Sequence, residues 1–184
     1  VTILEAQREV RTHFVGGFYG QLVSGVLWLA AAALATWAGP RPAIETAVIG
    51  GFFIFPVTEL LLRLSGGTPP LSRDNALHQL GMQVAFVLPL SMLLLLPVAL
   101  YRLNWFFPAL MILLGAHYLP FAFLYGMRIF LALGWILVCA GVLIAMYAAG
   151  SFGTGAWFTG VALVVFAVIA RSVAAREARA AGRP

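Results

Sequence analysis

From Gly17 to about position 175 the chain is a succession of apolar runs separated by short breaks. Each run is long enough for a helix of about 20 residues, the length that crosses a hydrocarbon core of roughly 30 Å. The breaks are polar or rich in Gly and Pro: GPRP, SGGTPPLSRDN, YRLN, GMR and AGSFGTG. The runs lie near 17–38, 43–64, 76–98, 105–126, 129–149 and 154–175, which predicts six membrane spans. Between the fourth and fifth there is room only for a tight turn around Gly126 and Arg128. Alternating in/out strands of about ten residues, the mark of a membrane barrel, are not found. Backbone polar groups find no water in lipid, so the pattern implies an all-α integral membrane protein, a six-transmembrane-helix bundle forming one membrane domain over residues 1–184.

Residues 1–16 follow a different rule. In VTILEAQREVRTHF, Thr2 and Glu5 have capping-box spacing, Ile3, Val10 and Phe14 share one face, and Glu5, Arg8, Glu9 and Arg11 take the other. A short amphipathic helix lying along the membrane surface is expected; the bland alternative is a frayed tail whose wheel is favourable by chance. The stretch lacks the basic stub and apolar core of a cleavable signal peptide, so the first span is expected to be retained.

Composition removes the soluble alternatives. Hydrophobic residues make up 62% and charged residues 9% of 184, with a mean hydropathy of +1.00, against about half and about a quarter in soluble domains. All 11 basic residues are arginine. With the N-terminus inside, Arg8, Arg11, Arg63, Arg73, Arg128, Arg171, Arg176, Arg179 and Arg183 fall on the cytoplasmic side and only Arg41 and Arg102 outside. An even number of spans returns the chain to its starting side, so both termini are expected to be cytoplasmic. Topology therefore accounts for the net charge of +5, and no basic face suited to nucleic acid is gathered. The basic tail, residues 176–184, ends a stretch RSVAAREARAAGR with four Arg against one Glu, which suits anionic headgroups of the lipid bilayer. The single Cys139 lies among Val, Leu and Ala in the fifth span, where it reads as a packing residue and excludes a disulfide scaffold.

The spans differ in polarity. The fifth and sixth carry Gly134, Gly141, Ala145, Ala148, Gly160, Ala162 and Ala167 with no ionisable residue before Arg171, and read as packing helices whose backbones approach closely. The first four hold Tyr19 and Gln21; Thr58, Glu59 and Arg63; His78, Gln79 and Gln83; and His117, Tyr118 and Tyr125. At 1.5 Å per residue Glu59 stands about 6 Å above Arg63, Gln83 about 10 Å above the start of the third span, His117 about 16 Å above Arg128 and Gln21 about 6 Å above the start of the first span. These depths overlap in the cytoplasmic half. Glu59 and Arg63 are four apart and can pair; Asn75, Gln79 and Gln83 form one stripe, and Tyr118, Phe121 and Tyr125 another. Intramembrane ionisable groups face the bundle interior or a wet cavity as a rule, so a polar cleft opening to the cytoplasm is expected, with Glu59, Arg63, Gln83, His117, Tyr118, Tyr125 and Gln21 as ligand-binding candidates. Pro56, Pro89, Pro97, Pro108 and Pro120 release carbonyls one turn earlier, that of Ala116 beside His117 among them. Such kinks suit a hydrated cavity, or simply shape the bundle.

Each polar residue also has a structural reading. Glu59 and Arg63 would be an internal salt bridge with Arg63 snorkelling to the headgroups, His78 an interfacial histidine after Asp74, Tyr118 and Tyr125 packing or belt aromatics, and Gln21 and Gln83 hydrogen-bond links between helices. His117 is too deep to snorkel and must find a partner.

TELLLR followed by two membrane histidines resembles the Glu-Glu-x-x-x-Arg motif of prenyl-endopeptidase-type intramembrane metalloproteases. Glu59 and Arg63 match it; Thr58 replaces the first Glu, Leu113 stands where the second motif has Phe, and the third motif is missing. Glu59, His78 and His117 would be the only metal candidates, a thin set for zinc. Serine hydrolase, Walker and Rossmann motifs are not found, the pairs in GGFYG and GGFF being read as part of apolar helices, and the cofactor is left unknown. A broader resemblance is carried by EAQREV leading into GGFYGQLVSGVLWL and by WFFPALMILLGAHYLPFAFLYGMRIF. Over about residues 4 to 150 the chain resembles a family of small bacterial six-span membrane proteins known only as a domain of unknown function. The resemblance implies a multi-pass protein of the bacterial cytoplasmic (inner) membrane and carries no established activity, so whether the protein is an enzyme is left open, with a non-enzyme favoured.

Two function classes stay open, with a third in reserve. The first is a protein that binds or transports a small polar or amphipathic molecule in the cleft; six spans are few for a transporter subunit, so transport would imply a homodimer, and no inverted repeat is evident. The second is an accessory subunit of a larger membrane complex, for which the Gly/Ala-rich last spans and Trp28, Trp37, Trp105, Trp135 and Trp157 would supply the contact. The third is an intramembrane metal-dependent hydrolase.

Overall fold

The computed structural model describes residues 2–72, 74–180 and 182. Helix is the only regular structure among them: α1 (Ile3–His13), α2 (Phe18–Trp37), α3 (Pro40–Leu64), α4 (Ala76–Ser91), α5 (Leu95–Tyr101), α6 (Phe106–Tyr125), α7 (Ile129–Tyr147) and α8 (Thr154–Ala180). Helices α4 and α5 are one span, Ala76–Tyr101, joined by a tighter turn at Met92–Leu94, so six segments are long and apolar enough to cross a membrane. The turn follows Pro89, whose ring withdraws a hydrogen bond from α4 two residues before the helix ends. Helix α8 continues through positions 176–180, so most of the basic tail is helical. Arg73 and Arg183, assigned above to the cytoplasmic side, lie outside the described residues.

Small residues decide which helices touch. A Cβ on Gly115 of α6 would sit 2.7 Å from the Gly134 carbonyl oxygen of α7, and one on Gly141 would sit 2.9 Å from that of Pro108. Across the α2/α8 contact, a Cβ on Gly25 would come within 3.2 Å of the Gly160 carbonyl. Here backbone meets backbone, the packing that stabilises helices in lipid, where apolar burial by itself gains little. The Gly-rich faces of the fifth and sixth spans are thus consumed within the chain, by α6 and α2. Helix α8 bridges α2 and α6, and Trp28 packs over Phe107 with ring centroids 5.9 Å apart.

Two walls result. Helix α3 rests on α2, and α4 rests on α6 and α1, but α3 and α4 do not pack substantially on each other. The spans holding α3 and α4 are only 17% and 11% buried, against 44% for Leu103–Tyr125. They form the two free edges of the bundle.

The N-terminal helix packs on the bundle through part of its apolar face. Its capping box forms, with Glu5 N–H donating to Thr2 Oγ1 at 3.3 Å and Thr2 N–H to Glu5 Oε2 at 2.7 Å. The face buried against protein is Ala6, Gln7 and Val10, while Ile3 is 60% exposed on the outer side of the helix. Gln7 Nε2 donates to the Phe123 carbonyl at 2.6 Å and so caps the end of α6, where Gly126 turns left-handed at φ 63°. Asn75, 2% exposed, donates through Nδ2 to the Ala6 carbonyl at 3.1 Å and to Glu9 Oε2 at 2.9 Å, while its Oδ1 caps α4 at Leu77 N–H, 3.0 Å. Ser72 Oγ donates to the same Glu9 oxygen at 2.8 Å, and His13 Nδ1 lies 2.9 Å from the Pro69 carbonyl. Arg11 pairs with Glu177 of α8, bringing the two ends of the chain to the same end of the bundle. Glu9 was expected on the charged face of α1; donors of the loop between α3 and α4 claim its carboxylate.

The passage from α1 into α2 also departs from expectation. Gly16 and Gly17 do not extend the apolar helix but form a left-handed turn, φ 66° and 83°, and a Cβ on Gly16 would lie 2.8 Å from that of Ala174.

One prediction follows from the Glu9 lock. Donors Asn75 and Ser72 hold the Glu9 carboxyl below its ordinary value of 4.5, and the capping contacts to Thr2 do the same for Glu5. A depressed acid contributes stability that is complete above its unfolded value and lost as pH falls through the folded one. Acidification below the ordinary glutamate range is expected to release α1 before the spans respond. Hydrogen exchange in α1 at stepped pH measures it; identical pH profiles for the wild type and Glu9→Gln would refute the assignment to Glu9.

Candidate functional site

Between the two walls runs a cavity of about 670 Å³. Helices α2 and α3 line one side, α4 and α6 the other, and Val10, His13 and Phe14 from α1 and its end close the floor with Phe130. Of the residues singled out above, Gln21, Glu59, Arg63, His117, Tyr118 and Tyr125 all line it, as does His78.

Gln83 is the exception: it is exposed and lies off the cavity. The inward side of α4 is Leu77, Gly81 and Leu88, with Leu77 and Val84 buried. Gln79 and Gln83 stand two positions, about 200°, beyond Leu77 and Gly81, which turns both outward. The polar stripe expected on the third span therefore does not face the interior. Its first member, Asn75, is the α4 cap.

The second correction concerns Glu59 and Arg63. Both lie on the cavity side of α3, yet no ion pair forms between them; the side-chain ion pairs among the described residues are Arg11 with Glu177 and Arg41 with Glu45. The internal salt bridge is thus not made.

Polarity changes along the cavity. Near α1 it holds the charged Glu59 and Arg63 with His13 and His78; deeper come Gln21, Ser24, His117 and Tyr118; beyond them Trp28, Ala47, Val48, Leu88, Met92 and Leu110 leave it apolar. Gln21 is 3% exposed, and its Oε1 has no hydrogen-bond partner; neither has the buried Nδ1 of His117. Polar atoms removed from water are nearly always satisfied, because an unmet one costs about 1–3 kcal/mol. Two such atoms border the same cavity. Thr58, by contrast, is satisfied within its own helix, its Oγ1 donating to the Ile54 carbonyl at 2.7 Å.

Tyr118 and Tyr125 are buried in an aromatic cluster. Phe121 stacks on Tyr125 with centroids 5.8 Å apart and planes 11° apart, and Phe130 of α7 lies 4.9 Å from Tyr125. The stripe of Tyr118, Phe121 and Tyr125 is as the spacing predicts; Phe14 and Phe130, which complete the cluster, come from other elements and have no local signal. The packing and the lining roles of the tyrosines coexist.

The gap between α3 and α4 gives the cavity a side opening. A Cβ built on Gly51 or Gly81, both lining residues, would meet nothing within 4 Å. Phe52, Phe55 and Phe86 along the two edges are 65%, 51% and 61% exposed. The metal candidates Glu59, His78 and His117 do not gather: among the described residues no group of three His, Cys, Asp or Glu could hold a metal.

A family of unknown function (DUF7010) matches the chain over residues 3–172. The chain belongs to that family. Membership extends beyond the stretch of about 4 to 150 that carries the resemblance in sequence, and takes in α1, the first five spans, most of the sixth and every cavity residue named above. No curated protein and no solved structure matches the chain. DUF7010 membership thus accords with a multi-pass membrane protein, and roles for its residues have to come from the geometry of the site.

Proposed function

We propose that this DUF7010 protein binds an amphipathic molecule in the cavity between α2, α3, α4 and α6. The observation that carries the reading is the pair of unpartnered buried atoms, Gln21 Oε1 and His117 Nδ1, bordering a cavity charged at one end and apolar at the other. A ligand with a polar end and an apolar body answers both halves. A purely polar solute would leave the far wall unmatched. With the arginine balance setting the sidedness, the charged end faces the cytoplasm.

The accessory-subunit alternative has less support, because the small residues that suggested an external contact pack against α6 and α2. Hydrolysis at a metal would need Glu59, His78 and His117 to converge, which their geometry does not favour.

Native mass spectrometry of the gently extracted protein tests the reading. The wild type is expected to carry a discrete small-molecule mass, and Gly51→Trp and Gly81→Trp, which fill open space in the cavity, are expected to lose it. A wild-type protein that flies bare, or adducts equal in all three, would sink the proposal.

A further inference from the structure

Glu59 and Arg63 stand four residues apart on one helix, the spacing at which opposite charges ordinarily pair. They do not pair here, and both border the cavity. Arg63 is one residue and Glu59 five residues from the end of α3, about 1.5 and 7.5 Å in depth, which puts Arg63 at the lipid headgroups and Glu59 just inside them. The mouth therefore offers a cation and an anion separately. A purely anionic ligand would set its charge against Glu59, and a purely cationic one against Arg63. A molecule carrying both signs satisfies both.

The side opening supplies the source. Helices α3 and α4 do not close on each other, and the gap is edged by exposed Phe52, Phe55 and Phe86, side chains that belong in lipid. Resting on the binding proposal above, we propose that the cavity takes a zwitterionic phospholipid sideways from the bilayer. Arg63 receives the phosphate at the rim, the ethanolamine arm folds back into the cavity so that Glu59, one turn deeper, accepts hydrogen bonds from its ammonium group, and one acyl chain follows the apolar wall toward Met92 and Leu110. The second chain stays in the bilayer through the open side, so the cavity need not enclose a whole lipid.

The full chain, reconstituted in nanodiscs of phosphatidylethanolamine and phosphatidylglycerol with identical acyl chains, is released into native mass spectrometry. The wild type is expected to retain the ethanolamine lipid over the glycerol lipid by about tenfold, the equivalent of one charge-assisted hydrogen bond. Glu59→Gln should bring that ratio to about one while lipid is still held, and Arg63→Gln should weaken retention of both lipids. A wild-type ratio of one, a preference for the glycerol lipid, or a ratio unchanged in Glu59→Gln overturns the headgroup assignment. Failure of the underlying reading looks different: Gly51→Trp and Gly81→Trp would then retain as much lipid as the wild type, marking it as a surface layer. A lipid-free dimer, with a second copy covering the gap, overturns both.

Discussion

Replacing Gly115 by leucine is expected to separate α6 from α7 and to lower stability by about 3 kcal/mol or more. Overpacking usually relaxes by moving a side chain, but a Cβ at this position already lies 2.7 Å from a main-chain carbonyl and 2.9 Å from the Val138 amide nitrogen. Neither can move without moving α7. The partner position is equally closed, with a Cβ on Gly134 at 2.8 Å from the Gly115 carbonyl. Since α6 carries His117, Tyr118 and Tyr125 and touches α4, α7, α8 and α1, its displacement would reach the cavity too. Thermal aggregation of the detergent-solubilised protein, followed by size exclusion, measures the loss. Gly51→Leu is the control, made in another span where nothing lies within 4 Å. Equal melting of the two variants would show that the α6/α7 contact is not the close backbone junction described.

Asn75→Ala is expected to detach the N-terminal helix at a cost of about 3 kcal/mol. The side chain holds three partners from a position 2% exposed: the Ala6 carbonyl, the Glu9 carboxylate and the Leu77 amide. Alanine leaves all three to find water at a buried junction and removes the cap of α4. Because α1 and its end supply Val10, His13 and Phe14 to the cavity floor, its release would also open the charged end. Trypsin reports this directly, since Arg8 and Arg11 lie on α1: cleavage there should become rapid in Asn75→Ala while the spans stay intact. Asn75→Asp separates the two roles. It keeps an oxygen for the α4 cap but replaces the donor to Glu9 with a like charge, so α1 should be lost with α4 still capped. Wild-type trypsin resistance in both variants would refute the lock.

Much of the site is legible residue by residue but not face by face. Gln21, Glu59, His117 and Tyr118 stand out because each is a polar side chain at a depth where polarity is expensive. Gln83 stands out for the same reason and lies off the cavity, since depth says nothing of azimuth. The Glu59–Arg63 pairing is sound helix geometry, but spacing says only that two groups can meet. Asn75 is recognisable as a polar residue before a helix, whereas its contact with Glu9 joins positions 66 apart, and the signal for that lies in neither segment alone.

The sequence by itself determined the class, the six spans, the breaks between them, the capping box of α1 and the small residues through which the last two spans would pack. All of these follow from length, hydropathy and local spacing, which are properties read along one dimension. The tertiary structure alone decided which side of each helix looks inward, that α1 packs on the bundle through Ala6, Gln7 and Val10, that Glu59 and Arg63 remain apart, and that α3 and α4 leave a gap. The reason is the solvent. A helix in water marks its buried side by an apolar stripe, but a helix in lipid is apolar all round, so only the fit of one helix against the next can choose its face.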